Sequence, residues 1–171
     1  MHLEPASLTA PRGLAELLAD LGDGENGFNG TPVGRGEMTI PEYLQSCMDM
    51  TDASKLKPGY VPQTVFWVID EAGEAVGLVR VRHYLNDKLR ERGGHIGYYI
   101  RPSQRGKGYA TQALWLALGE LKQLGEDRAM LSTDMTNLPS RHVIEVNGGV
   151  LESTGLNEDG SEFCRYWIEI A

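Results

Sequence analysis

The 171-residue sequence is short of several things. It has two cysteines, Cys47 and Cys164, three phenylalanines, and no apolar run near the length that crosses a bilayer. Two cysteines so far apart form neither a disulfide framework nor a metal-ligand cluster, so each is expected to be a buried thiol and no metal is expected. No basic segment followed by a long apolar core stands near the start, so neither a secretory signal nor a membrane partner is expected, and the cytoplasm is the expected compartment. Positive charge is also scarce: 16 Lys and Arg face 24 Asp and Glu, a net charge of -8. That balance argues against a nucleic-acid partner. The length suits a single domain spanning 1–171, with a core that needs no covalent staple.

What positive charge there is sits in one place. Residues 80–110 hold eight Arg and Lys against two acids, whereas residues 1–60 hold four against nine. The basic island surrounds the turn "QRGKG", between the strand-like "HIGYYIRP" and the helix-like "YATQALWLALGELKQLG". An anionic ligand is expected there.

The rest of the chain divides by periodicity. Leu8–Gly22 reads as a helix capped by Thr9, with Leu14, Leu17, Leu18 and Leu21 on one face. Residues 23–37 hold five glycines and read as a loop, in which Phe28 is the only large apolar group. Thr39–Met50 reads as a second helix, with Thr39 and Glu42 spaced as a capping box. Thr64–Asp70 and Ala75–Leu85 read as a hairpin, and Val79 and Val81 alternate with Arg80 and Arg82 along its second strand. "NDKLRERGG" reads as a loop, His95–Pro102 as a third strand, and Arg128–Asp134 as a fourth. A short helix follows, with Asn137 as cap, and two strands close the chain. The expected class is α/β, a mixed central sheet covered by helices.

A strand running into a helix through a glycine turn brings unpaired N–H groups and the positive end of the helix dipole to one point. Gly106 and Gly108 let a diphosphate approach the backbone, and Arg105 and Lys107 add charge. The turn is not a P-loop, since no Ser or Thr follows the lysine, and it lacks the dinucleotide spacing. Arg105, Gly108 and Ala110 do resemble the acyl-CoA signature of the GNAT family of N-acetyltransferases: Arg or Gln, two residues, Gly, one residue, Gly or Ala. The resemblance runs from about Thr64 to the end and extends to the element order. "GGHIGYYIRPSQRGKGYATQAL" is particularly similar to a bacterial subgroup of acetyltransferases.

The resemblance implies the acyl-CoA N-acyltransferase fold, with splayed central strands, and acetyl-CoA as cofactor. It implies that backbone donors from Arg105 through Gly106, Lys107, Gly108 and Tyr109 to Ala110 hold the pyrophosphate. Donors around Tyr99 and Ile100 would polarise the thioester carbonyl, and Asn137 and Ser140 would flank the cofactor arm. The implied reaction is direct attack by a primary amine of a small molecule or peptide. Many members carry a tyrosine acid seven residues after the helix asparagine; here that residue is Ile144. Tyr98, Tyr99, Tyr109 and Tyr166 remain as substitute acids. His95, with Glu91 before it, is the expected proton acceptor, because an imidazole titrates near neutrality. Glu25, Phe28 and Asp134 are the expected contacts to the amine. Two other readings stay open: a non-catalytic acyl-CoA binding or sensing domain, and an unrelated nucleotide-phosphate binder. The last strands suit a homodimer.

Overall fold

A computed structural model describes residues 1–171. It contains two antiparallel sheets. The first is four-stranded, in the order β1 (His2–Pro5), β4 (Gln63–Ile69), β5 (Ala75–Arg82), β6 (Ile96–Ile100). The second is three-stranded, in the order β7 (Arg128–Asp134), β9 (Glu162–Glu169), β8 (Val150–Leu156). A two-stranded ribbon, β2 (Gly24–Glu25) and β3 (Phe28–Asn29), stands apart from both.

Helices cover the two faces of the first sheet. The inward stripe of α1 (Leu14–Leu21) and the buried Tyr43, Leu44 and Cys47 of α2 (Ile40–Asp49) pack on Val65, Trp67, Leu78 and Tyr99. On the opposite face, Ala113, Leu114, Ala117, Leu118 and Leu121 of α4 (Tyr109–Gln123) pack on Phe66, Val68, Val79, Val81 and Ile100. That second core continues through Leu131, Cys164 and Tyr166 of the three-stranded sheet to Ile144 of α5 (Leu138–Val146), so α4 and α5 weld the sheets together. Alternation along β5 follows: Val79 and Val81 face α4, while Leu78 faces α1 and α2. Cys47 and Cys164 are both buried free thiols.

The first helix begins later than expected. Gly13 takes a left-handed φ of 80°, which a helix cannot contain, and the Arg12 carbonyl accepts from Ala75 N–H at 2.8 Å. The chain before Leu14 is therefore tied to the β4–β5 hairpin, and Thr9 caps nothing. The Thr39–Glu42 capping box of α2 is present in both directions. The expected loop 86–94 contains a short helix, α3 (Asp87–Glu91), whose Asn86 side chain accepts from Leu89 N–H at 3.0 Å. The glycine-rich loop contains the β2–β3 ribbon, turned through left-handed Asn26 and Gly27.

The two sheets meet at one point. His95 N–H donates to the Met130 carbonyl at 2.7 Å, and Met130 N–H donates back to His95 Nδ1 at 2.9 Å. An isolated bridge at Gly94 and Leu131 adjoins this clamp, and beyond it β6 and β7 diverge without pairing. The acceptor role of Nδ1 requires a neutral ring protonated at Nε2. Burial, with Arg82 and Arg90 adding repulsion, pushes the His95 pKa down to about 4; the Glu126 carboxylate, 3.8 Å from Nε2, is the one nearby anion. The unfolded chain therefore takes up this proton first. His95 contributes its full stability above about pH 6.5 and loses it as pH falls towards 4. Urea denaturation between pH 7 and 4.5 is expected to show wild type losing up to about 3 kcal/mol more than His95→Gln. Equal losses in the two proteins would remove His95 from the account of the clamp.

Candidate active site

Divergence of β6 from β7 opens a cleft of about 1240 Å³. One end is the turn that joins β6 to α4. Gly106 and Gly108 there adopt φ of 76° and 79°, left-handed values that side chains resist. The second glycine caps α4 with no side-chain hydrogen bond. The first intrahelical bond runs from Gln112 N–H to Gly108, and the N–H groups from Gly106 to Thr111 donate to no protein acceptor. A row of free amides at the start of a 15-residue helix is a built anion site. A Cβ at Gly106 or Gly108 would meet nothing within 4 Å, so backbone angle, and not crowding, selects glycine here.

The strand β6 carries the next donors. Arg82 N–H donates to the His95 carbonyl and Arg101 N–H to the Val76 carbonyl, which sets the alternation of the β5–β6 ladder. Gly97 and Tyr99 then pair with β5, while the backbone groups of Tyr98 and Ile100 turn towards the gap. Tyr99 was expected to offer its N–H to a thioester; the register gives that position to Tyr98 and leaves Ile100 where it was expected. Across the gap, Asn137 caps α5 by accepting from Ser140 N–H at 3.3 Å. Tyr98 Oη lies 2.9 Å from Ser140 Oγ, bridging β6 to α5. Tyr109, Ala110, Asn137 and Ser140 all line the cleft.

Several expected side chains are engaged elsewhere. The guanidinium of Arg105 donates to both carboxylate oxygens of Glu25, at 3.0 and 2.8 Å, and its Nε donates to the Ile100 carbonyl at 2.9 Å. An expected phosphate contact and an expected amine contact thus satisfy each other, and the Glu25 pKa is lowered by this bond. Lys107 does not line the cleft and donates instead to Gln104 on its edge, at 2.8 Å. Asp134 accepts from Arg92 at 2.9 Å and from Asn157 at 3.1 Å, so its charge is not free for an amine.

The expected proton acceptors lie outside the cleft. His95 is 2% exposed and faces a separate cavity with Tyr84, Arg90, Glu126 and Trp167; its Nδ1 lone pair is spent on Met130. Glu91, on α3, is exposed and does not line the cleft either. Neither residue is placed to deprotonate an amine in the cleft: the chain kinks before β6 and turns both away from it.

Tyr99 and Phe28 do meet in the cleft. Their rings stack with centroids 6.1 Å apart, and Arg80 lies 4.3 Å from the centre of Phe28. Gly97 makes room: a Cβ there would stand 3.3 Å from the Phe28 ring. The Tyr99 hydroxyl is buried without a partner, and burial raises its pKa, followed by the effect of nearby Glu25. The sequence reading did not assign Arg80, Arg82 or Arg92 to this cleft. The signal for Arg80 and Arg82 is visible in "VRVR", where both share a face with Leu78 in an otherwise buried strand; Arg92, in the segment before β6, has no such local signal.

The family model described as an acetyltransferase (GNAT) domain matches residues 34–150, more than half of the chain. The chain belongs to the GNAT family. Among solved structures of similar fold is a GNAT-family acetyltransferase from Streptococcus pneumoniae, 15% identical, covering 99% of each chain with a TM-score of 0.69. A spermidine/spermine N-acetyltransferase from Vibrio cholerae is 19% identical over 98% of this GNAT chain and 93% of its own, with a TM-score of 0.65. The protein yncA from Salmonella typhimurium, solved with its cofactor acetyl-CoA, is 13% identical, covering 93% and 86%, with a TM-score of 0.62. Comparison with curated protein sequences gives no match. The splayed mixed α/β architecture is that of the GNAT fold, and family membership supports acetyl-CoA-dependent acetyl transfer in general.

The Glu25–Arg105 pair ties the β2–β3 ribbon to the glycine turn of this GNAT domain. Both side chains are about two-fifths exposed, so the pair contributes little to global stability. Glu25→Ala is expected to leave the urea midpoint nearly unchanged while amides 24–29 lose hydrogen-exchange protection. Unchanged protection would show that Phe28 stacking alone holds the ribbon.

Proposed function

We propose that the protein transfers the acetyl group of acetyl-CoA to a primary amine of a small molecule or peptide. The observation that carries this reading is the row of free N–H groups from Gly106 to Thr111, opening onto a gap between β6 and β7. Those donors and the α4 dipole suit a diphosphate, and the Tyr98 and Ile100 N–H groups suit a pantetheine arm or a thioester oxygen. Asn137 and Ser140 flank the same passage. Acetyl-CoA, when bound, supplies an activated thioester: the amine forms a C–N bond as the C–S bond breaks, and one proton lost from nitrogen replaces the one that sulfur needs.

In this reading the chain binds, orients and supplies a proton. Tyr98 is the donor. Ser140 and Ile144 lie one turn apart on α5, so the Tyr98 hydroxyl stands one turn before the place where other members carry a helix tyrosine. Burial pushes its pKa up to about 12, against the counter-effect of Ser140, so it stays protonated at neutral pH. Tyr99, also kept protonated, shapes the amine side with Phe28. With His95 and Glu91 outside the cleft, the amine enters neutral or loses its proton to water. Ile144, buried in the core where other members carry the helix tyrosine, favours a second reading: an acyl-CoA binding domain without turnover.

Calorimetry with acetyl-CoA tests the anion site. Gly108→Ala strains the left-handed position and is expected to weaken binding modestly; Gly108→Glu adds a carboxylate and is expected to abolish it. Equal affinity for Gly108→Glu and wild type would rule the site out. Tyr98→Phe is expected to lower kcat about 10²-fold with little change in KM for acetyl-CoA. An unchanged kcat would remove the tyrosine, and binding with no turnover of any amine by wild type would favour the second reading.

A further inference from the structure

The wall of the cleft built by β5, α3 and the segment before β6 is strongly basic. Arg80, Arg82, Lys88 and Arg92 line it, and Glu25, held at both oxygens by Arg105, is the only carboxylate lining the cleft. Two of these cations are occupied. Arg92 donates to Asp134, Ser132 and Asn157, and Arg80 donates to the Asn29 and Gly30 carbonyls beneath the Phe28 ring.

Arg82 differs. Its Nη1 donates to the Gly94 and Gly93 carbonyls, at 3.0 and 3.4 Å, while Nε and Nη2 donate to no protein group. No carboxylate pairs with it. Burial and the neighbouring Arg80 charge push its pKa down to about 10, which still leaves it charged at neutral pH. Lys88 lines the cleft and is exposed, with no side-chain partner. Gln63, the cross-strand neighbour of Arg82, and the lining residues Met50, Leu56 and Tyr60 add no charge. A half-buried guanidinium with two unused donors is a ready receptor for an anion, and a polycation entering this arm would meet repulsion with nothing to offset it.

We propose that the amine substrate also carries a carboxylate, which seats on Arg82 with Lys88 at the rim. This rests on the acetyl-transfer reading and narrows it to acidic amines such as amino acids. It sets the chain apart from the spermidine/spermine enzyme that shares its fold.

The test has two parts. Acetyl-CoA turnover is measured with the free L-amino acids, their methyl esters and spermidine. Binding of N-acetyl-L-amino acids and of their methylamides to the CoA-loaded protein is measured by calorimetry. Acids are expected to be preferred about tenfold or more over esters and methylamides. Arg82→Gln and the exposed Lys88→Gln are each expected to reduce that preference through KM or Kd; if Arg82→Gln does not fold, Lys88→Gln carries the comparison. Equal or better use of spermidine or esters would overturn the proposal, as would failure of every acid to bind. A preference that appears only with succinyl-CoA would move the anion to the acyl group and overturn it too. Failure of acetyl-CoA itself to bind wild type would instead strike the transferase reading.

Discussion

Two neighbouring strands that part after a single point of contact leave backbone groups that other partners must satisfy. An unmet buried N–H or carbonyl costs about 1–3 kcal/mol, so proteins rarely leave one open without a purpose. Here the His95–Met130 clamp closes the joint between the sheets, and the inward-turned groups of Tyr98 and Ile100 lie just past it. The glycine turn continues the same row of donors into the start of α4. Helix α4 packs on both sheets and α5 on α4 and β7, so the core frames the opening.

The second organising feature is where the charge goes. The chain is acidic as a whole, yet its cleft is lined by arginines. The β2–β3 ribbon lies over the cleft face, pinned by Glu25 to the glycine turn and by Phe28 to Tyr99 and Arg80. It encloses the arm where the amine would enter and uses up the one lining carboxylate. What remains facing the cleft is cationic at the amine end and a row of dipoles at the phosphate end. Both ends favour anions, by different means.

Much of the architecture was legible in the sequence because periodicity carried it. The leucine stripe of α1, the capping box of α2, the β4–β5 hairpin, β7 and the Asn137 cap each left a local signature that the fold honours. The glycine turn was legible for the same reason: left-handed backbone next to a helix start demands glycine. The side-chain chemistry was less so. Arg105 and Glu25 are 80 residues apart, and nothing local announces that they pair. His95 looked like a proton acceptor because imidazole chemistry suits that task, but its ring completes a backbone hydrogen bond at the sheet joint. The short elements β1, β2, β3 and α3 span two to five residues, too few for a repeating pattern to emerge.

The central claim is that the parted strands and the glycine turn offer their free amides to one diphosphate-bearing ligand. An amide-resolved NMR titration of the protein with CoA addresses it directly. The account expects Tyr98, Ile100 and the amides from Gly106 to Thr111 to shift together, with one saturation curve. Saturable binding that leaves those resonances in place and moves another surface would contradict it.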